Sequence, residues 1–175
     1  MNKLLVLTLL LSFQVLLVGC NKDDEAPNNG FSINGNEYAT GFAYTTEGNG
    51  ATKSILIFSS VDRTSTNYTE NRGRFDLRFS DTLIPGEYNS GTGAFGDTFE
   101  FSEGIVVEDG VLVSRGTKLV FSTSGSGGFQ SATATVHSVS LNADHQVTQI
   151  DIDYTLNFED IIVRGNYSGA VRISF

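Results

Sequence analysis

Few residues in this chain can do chemistry, and their spacing limits what that chemistry is. His137 and His145 are the only imidazoles and Cys20 the only thiol. A zinc site needs about four Cys, His or carboxylate ligands brought together. His137 instead alternates with Thr135 and Val139 in a strand-like run, and His145 falls in the turn-like Asn142-Ala-Asp-His145. Ser138, beside His137, points to the opposite face of a strand, so the two do not make a nucleophile and its base. Asp151 and Asp153 share a face with Asn166 and Ser168 across an expected hairpin, and oxygen donors of this kind can take Ca²⁺. The same residues also describe a solvated sheet face, and no Asp-rich calcium loop accompanies them. Glu100 and Glu103 are the acids a glycan-active enzyme would need, provided they face each other across a cleft at about 5–10 Å. Gly91-Thr-Gly-Ala-Phe-Gly96 matches G-x-G-x-x-G, but a strand-like Asp97-Thr-Phe-Glu-Phe101 follows where a helix N-terminus must hold a pyrophosphate. No catalytic residue, metal or cofactor is assigned from these patterns.

Binding residues are easier to nominate. Of Tyr38, Phe42, Tyr44, Tyr68, Phe95 and Phe129, the last two flank glycine-rich stretches, where a rigid scaffold often carries its contact residues. Phe95 and Phe129 are therefore candidate ligand-binding residues for a glycan, a peptide or another surface protein. The formal net charge is −9, and removing residues 1–19 takes away only Lys3, leaving −10. A surface this acidic argues against nucleic acid and against attraction to anionic lipid.

The elements that must position these residues are strands. There are 19 glycines but only two prolines, together with many Val, Ile, Thr, Phe and Tyr and no convincing helical period. Asn34-Gly35 and Asp109-Gly110 each favour a two-residue hairpin turn. Ser54 to Phe58 reads as a strand buried on both faces, and Phe75, Leu77 and Phe79 alternate with Arg74, Asp76 and Arg78. Residues 61–73 read as a long polar loop. In the last hairpin Leu156 should oppose Val163, Tyr154 Gly165 and Ile152 Tyr167, the glycines leaving room for the facing rings. The expected fold is all-β, an antiparallel β-sandwich or flattened β-barrel of roughly nine to eleven strands.

The N-terminus is of a different kind. Lys3 supplies a positive start, and Leu4 to Val18 is apolar apart from Thr8, Ser12 and Gln14. This is a secretory signal, too short to span a bilayer, where about 20 apolar residues are needed. Residues 1–19 are thus expected to be a signal peptide, 20–29 a polar tether and 30–175 one domain.

Leu17-Val-Gly-Cys20 resembles the lipobox of bacterial lipoproteins. The resemblance implies cleavage before Cys20 and lipid on its sulfur, which would make the membrane a partner through that anchor. Lys22, Asp23, Asp24 and Glu25 look like the Lys-acidic signal that carries Bacteroidetes-type lipoproteins to the outer face of the outer membrane. Asp81-Thr82-Leu83 looks like their O-glycosylation triplet, with Thr82 as acceptor. Phe31-Ser-Ile-Asn-Gly35, Leu83-Ile-Pro-Gly-Glu-Tyr88 and Gly165-Asn-Tyr-Ser-Gly169 extend the likeness along the mature chain to small surface lipoproteins of such bacteria. That resemblance implies export and an all-β fold and brings no catalytic residues, because no activity defines the group. The expected function is a non-enzymatic binding or interaction module at the cell surface. A ligand-carrying β-barrel and a glycan-active enzyme stay open as alternatives.

Overall fold

The structure, a computed structural model, describes residues 29–46, 53–79, 82–122 and 128–174. Cys20 and the Lys22 to Glu25 stretch lie outside the described residues, as does Asp81. The strands are β1 (Gly30–Ile33), β2 (Asn36–Ala39), β3 (Phe42–Thr46), β4 (Lys53–Ser59), β5 (Tyr68–Arg78), β6 (Gly86–Asn89), β7 (Phe95–Glu108), β8 (Val111–Ser114), β9 (Thr117–Ser122), β10 (Phe129–Leu141), β11 (Val147–Phe158) and β12 (Ile162–Ser174). The fold is all-β, and its only described helical piece is a 3₁₀ turn, Ser90–Thr92. Among the described residues no helix is long and apolar enough to cross a membrane.

All 12 strands belong to one sheet, ordered β6-β10-β11-β12-β3-β4-β5-β7-β8, with β1 and β2 branching from β12 and β9 lying along β7. The long strand β12 is the fold line. Its first half pairs with β11 and β1, and its second half, from Val171 on, runs parallel to β3. The sheet doubles over there into two layers. Rings from opposite layers meet between them: Phe58 stacks on Tyr154 at 5.4 Å, Phe75 lies 4.7 Å from Tyr154, and Phe121 lies 5.6 Å from Phe158. Neither end of the strand order, β6 or β8, returns to the other, so the sheet is not a closed barrel. Side chains such as Leu56, Phe58, Phe99, Ile152 and Leu156, all fully buried, fill the space between the layers. The flattened-barrel form is thereby overturned.

Local expectations hold where turn chemistry or alternation is strong. Asn34 and Gly35 take φ 49° and 81°, and Asp109 and Gly110 take φ 50° and 76°, the double left-handed turn that Asn-Gly and Asp-Gly tolerate. The β11–β12 register is Leu156 on Val163, Tyr154 on Gly165 and Ile152 on Tyr167, as the alternation requires. At Gly165 a β-carbon would overlap the Tyr154 ring, which occupies the space the glycine leaves. Three expectations change. There are more strands than nine to eleven, one strand pair is parallel, and the expected loop over 61–73 ends at Tyr68, where β5 begins. The polar residues Glu70, Arg72 and Arg74 pair within the sheet and disguise that strand as a loop.

Candidate functional site

The outward face of the layer that holds β4, β5 and β7 departs from a plain solvated sheet, and one bulge is the cause. On β5, Gly73, Phe75 and Leu77 point into the core, so Tyr68, Glu70, Arg72 and Arg74 point outward. Their partners on β7 are Val107, Ile105, Ser102 and Glu100. Between the Glu70–Ile105 and Arg72–Ser102 pairs, Asn71 alone faces both Glu103 and Gly104. Gly104 takes φ 69°, and its N–H donates to the Asn71 side-chain oxygen at 2.9 Å. An extra residue reverses which face the following side chains take. Phe99 and Phe101 therefore point into the core, whereas Ile105 and Val107 point outward and are still buried.

The loop between β4 and β5 covers them. The Tyr44 hydroxyl accepts the Arg63 N–H at 2.7 Å, and the Arg63 guanidinium lies 5.3 Å from the Tyr44 ring centre. Asp62 accepts hydrogen bonds from the Thr64 N–H and hydroxyl, which hold its carboxyl below the usual range, and it also pairs with Arg172.

Under this cover is a recess of about 320 Å³, with an apolar wall of Tyr68, Ile105, Val107 and Leu112 and a cationic set of Arg63, Arg72, Arg115 and Lys118. At its base Glu70 is 1% exposed. Taking a carboxylate out of water costs several kcal/mol unless partners offset it. Here the Ser59 hydroxyl donates to it at 2.8 Å, with Arg63 Nε at 3.6 Å and Arg72 Nη1 at 3.5 Å. Lys118 is shared with Glu100 at 3.2 Å. Arg115 is exposed and forms no ion pair among the described residues. The buried Arg63 Nε and Nη1 have no hydrogen-bond acceptor.

The residues nominated from sequence fare differently. Phe95 is 5% exposed and stacks on Phe75 at 5.8 Å, so it belongs to the core. Phe129 is half-buried and packs edge-on against Phe158 at 5.7 Å. Neither offers a free ring: Phe95 packs on Phe75 and Phe129 on Phe158. Thr82 is half-buried at the rim of a wider depression of about 550 Å³ beside β6, whose lining carries one charge of each sign, Arg78 and Glu87. Gly91 to Gly96 forms the 3₁₀ turn and the start of β7, with no helix to receive a phosphate. Alternation sends Glu100 and Glu103 to opposite faces of β7. Glu100 pairs with Arg74 and Lys118, while Glu103 raises the pKa of Tyr38 after burial has already done so, and the two do not flank a cleft. Asp153 does pair with Asn166 and Asp151 with Ser168, but Asp153 is bound to His137 at 2.6 Å, which raises the imidazole pKa. No group of three or more His, Cys, Asp or Glu placed to hold a metal occurs among the described residues.

The sequence reading missed Glu70, Arg63 and Arg72 because it set them in a loop, and it did not single out Arg115 or Lys118. One signal was present: a lone glycine, Gly104, inside a strand-like run is the mark of a bulge. Compared with protein-family models, curated proteins and solved structures, the chain finds no match.

Proposed function

We propose that this chain is an exported, lipid-tethered binding module, held to the outer membrane through Cys20 and displayed at the cell surface. It would act by recognising a ligand in the recess between β5, β7 and the loop over Tyr44. The single observation that carries the recognition reading is the recess itself. Buried apolar side chains and a buried carboxylate sit on a sheet face that would otherwise be a solvated surface. Concave sites of roughly 300–1,000 Å³, apolar with a few placed polar groups, are the usual form of a small-ligand site. The export reading rests on the N-terminal pattern and on Lys22, Asp23, Asp24 and Glu25, with Thr82, half-buried at the rim of the depression beside β6, as a modification site.

Growth with a fatty-acid analogue should label the wild type and not Cys20→Ala. Protease added to intact cells should remove the domain. Changing Lys22, Asp23, Asp24 and Glu25 together to Ala should leave labelling intact and make the domain resistant until the outer membrane is opened. Unlabelled wild-type protein would end the lipid-anchor reading, and protection of the wild type in intact cells would end the surface reading.

A further inference from the structure

We infer that the recess takes an organic anion, a carboxylate carried on a short apolar body. Arg63 and Arg115 would hold the charge, and Tyr68, Ile105 and Leu112 the body. The inference deepens the binding-module reading and rests on it.

Charge is the first argument. The chain carries a net charge of −9, yet four of its 11 Lys and Arg line this one recess. Glu70 is the only carboxylate among the lining residues, and Glu100 beside it takes up Lys118. Cation therefore remains in excess in a partly enclosed site, where water screens it less than on an open surface.

Hydrogen-bonding capacity is the second argument. Glu70 holds Arg63 and Arg72 at 3.6 and 3.5 Å, beyond good hydrogen-bond length, and its short bond goes to Ser59. Two Arg63 donors are left without an acceptor, and unmet buried donors are rare in native proteins. A planar carboxylate matches the guanidinium fork that these donors belong to. An incoming carboxylate would meet Arg115, which is exposed, and the part of the Arg63 guanidinium that reaches the recess.

Shape is the third argument. The bulge at Gly104 turns Ile105 and Val107 to this face, and Leu112 on β8 stands opposite Val107. The cationic end thus lies against an apolar wall rather than open water. A strongly hydrated ion such as free phosphate gains nothing from such a wall, whereas a carboxylate with an alkyl or aryl body does.

The test uses the full-length purified chain and four probes: hexanoate, hexanol, hexylammonium and inorganic phosphate. Binding is followed by titration calorimetry and by the amide NMR shifts of Val107 and Gly110. Hexanoate should bind saturably and shift both amides, with hexanol about tenfold weaker or more and hexylammonium silent. Arg115→Ala, at an exposed site, should weaken hexanoate about threefold or more and leave hexanol unchanged. Arg63→Met should weaken it about tenfold. Glu70→Gln keeps an acceptor for Ser59 and removes the competing negative charge, so hexanoate should bind at least as tightly as to wild type.

Equal binding of hexanol and hexanoate would overturn the anion and leave a recess that binds. Phosphate binding as tightly as hexanoate would overturn the apolar body. Unchanged hexanoate affinity in folded Arg115→Ala and Arg63→Met would overturn the site. No binding of any probe would overturn the ligand class, and a failed glycan and peptide screen would be needed as well to remove the binding-module reading.

Discussion

The inner face of β11–β12 and the outer face of β5–β7 carry the same kind of sequence signal and end in opposite places. Along β11, Ile150, Ile152, Tyr154, Leu156 and Phe158 alternate with polar residues, and all five are buried in the core between the layers. Along β7, Phe99, Phe101, Ile105 and Val107 also fall on odd positions. The first two enter the core, and the last two line a recess on the outside. The difference is one odd step, since the ladder's other shift, between Phe75 and Leu77, leaves Phe99 and Phe95 on the same face. The β11–β12 ladder runs without a register break from Gln149–Ala170 to Asn157–Ile162, whereas the β5–β7 ladder breaks between Glu70 and Arg72. Alternation reports a face only while the register holds. Where it breaks, the side chains beyond it serve the other side of the sheet.

The largest effect should come from disturbing the unbroken ladder. A β-carbon at Gly165 has no room beside Tyr154, and overpacking of a filled core costs about 1–3 kcal/mol, sometimes more. Gly165→Ala should lower stability by about 2 kcal/mol or more in urea unfolding. Coupling it with Tyr154→Leu should recover part of the loss, since neighbours that share one space are not additive. Strict additivity of the two changes would show that the ring is not what fills the glycine's space.

A smaller loss should follow at the break. Gly104 sits at φ 69°, and an added β-carbon would meet nothing within 4 Å. Backbone strain is then the whole cost, about 1–2 kcal/mol for an ordinary L-residue and more for a β-branched one. Gly104→Val should destabilise more than Gly104→Asn, and Gly104→Asn should keep the Val107 and Gly110 amide shifts of wild type. Equal losses for Val and Asn would mean that the bulge does not depend on the left-handed conformation.

This contrast also separates what was legible in the sequence from what was not. The Asn34-Gly35 and Asp109-Gly110 turns, the β11–β12 pairing and the all-β class follow from local patterns, because each is set within a few residues. The parallel pairing of β12 with β3 joins Val171 to Ala43 and is set by how the sheet folds over, which no local pattern reports. Glu70 looked like one more polar residue in a loop. Its burial depends on Ser59, Arg63 and Arg72 arriving from β4, the following loop and β5, and on a bulge on β7. Phe95 and Phe129 were nominated because glycines flank them, yet a flanking glycine by itself says nothing of whether a neighbouring ring turns inward or outward.

A gain rather than a loss is expected at the Tyr154 hydroxyl. It is buried without a partner, and burial pushes its pKa far above the ordinary tyrosine value. Removing an unsatisfied buried polar group relieves its desolvation penalty. Tyr154→Phe should be neutral or stabilising by up to about 1 kcal/mol, with the ring contacts to Phe58 and Phe75 kept. A loss well beyond that size would reveal a hydrogen bond that the hydroxyl makes in solution.

The smallest effect lies on the solvated side of the β10–β11 layer, at His137 on β10. Its ring nitrogen is 2.6 Å from the Asp153 carboxylate across the β10–β11 ladder. The hydrogen bond to Asp153 is the main cause that raises the imidazole pKa above 6.5, with the charges of Asp153 and Asp151 adding to it. A raised folded-state value means that the native chain binds the proton more tightly than the unfolded one. The pair's contribution is therefore complete below the unfolded pKa of about 6.5 and is lost as pH rises through the folded value. Both side chains are well exposed, so the change in stability should be small and should weaken with added salt. NMR titration should find His137 titrating at higher pH than in Asp153→Asn, where the hydrogen-bonded charge is gone. If the His137 midpoint were the same in both proteins, the contact would be packing without electrostatic consequence, and the polar face of the regular ladder would be as passive as its alternation suggests.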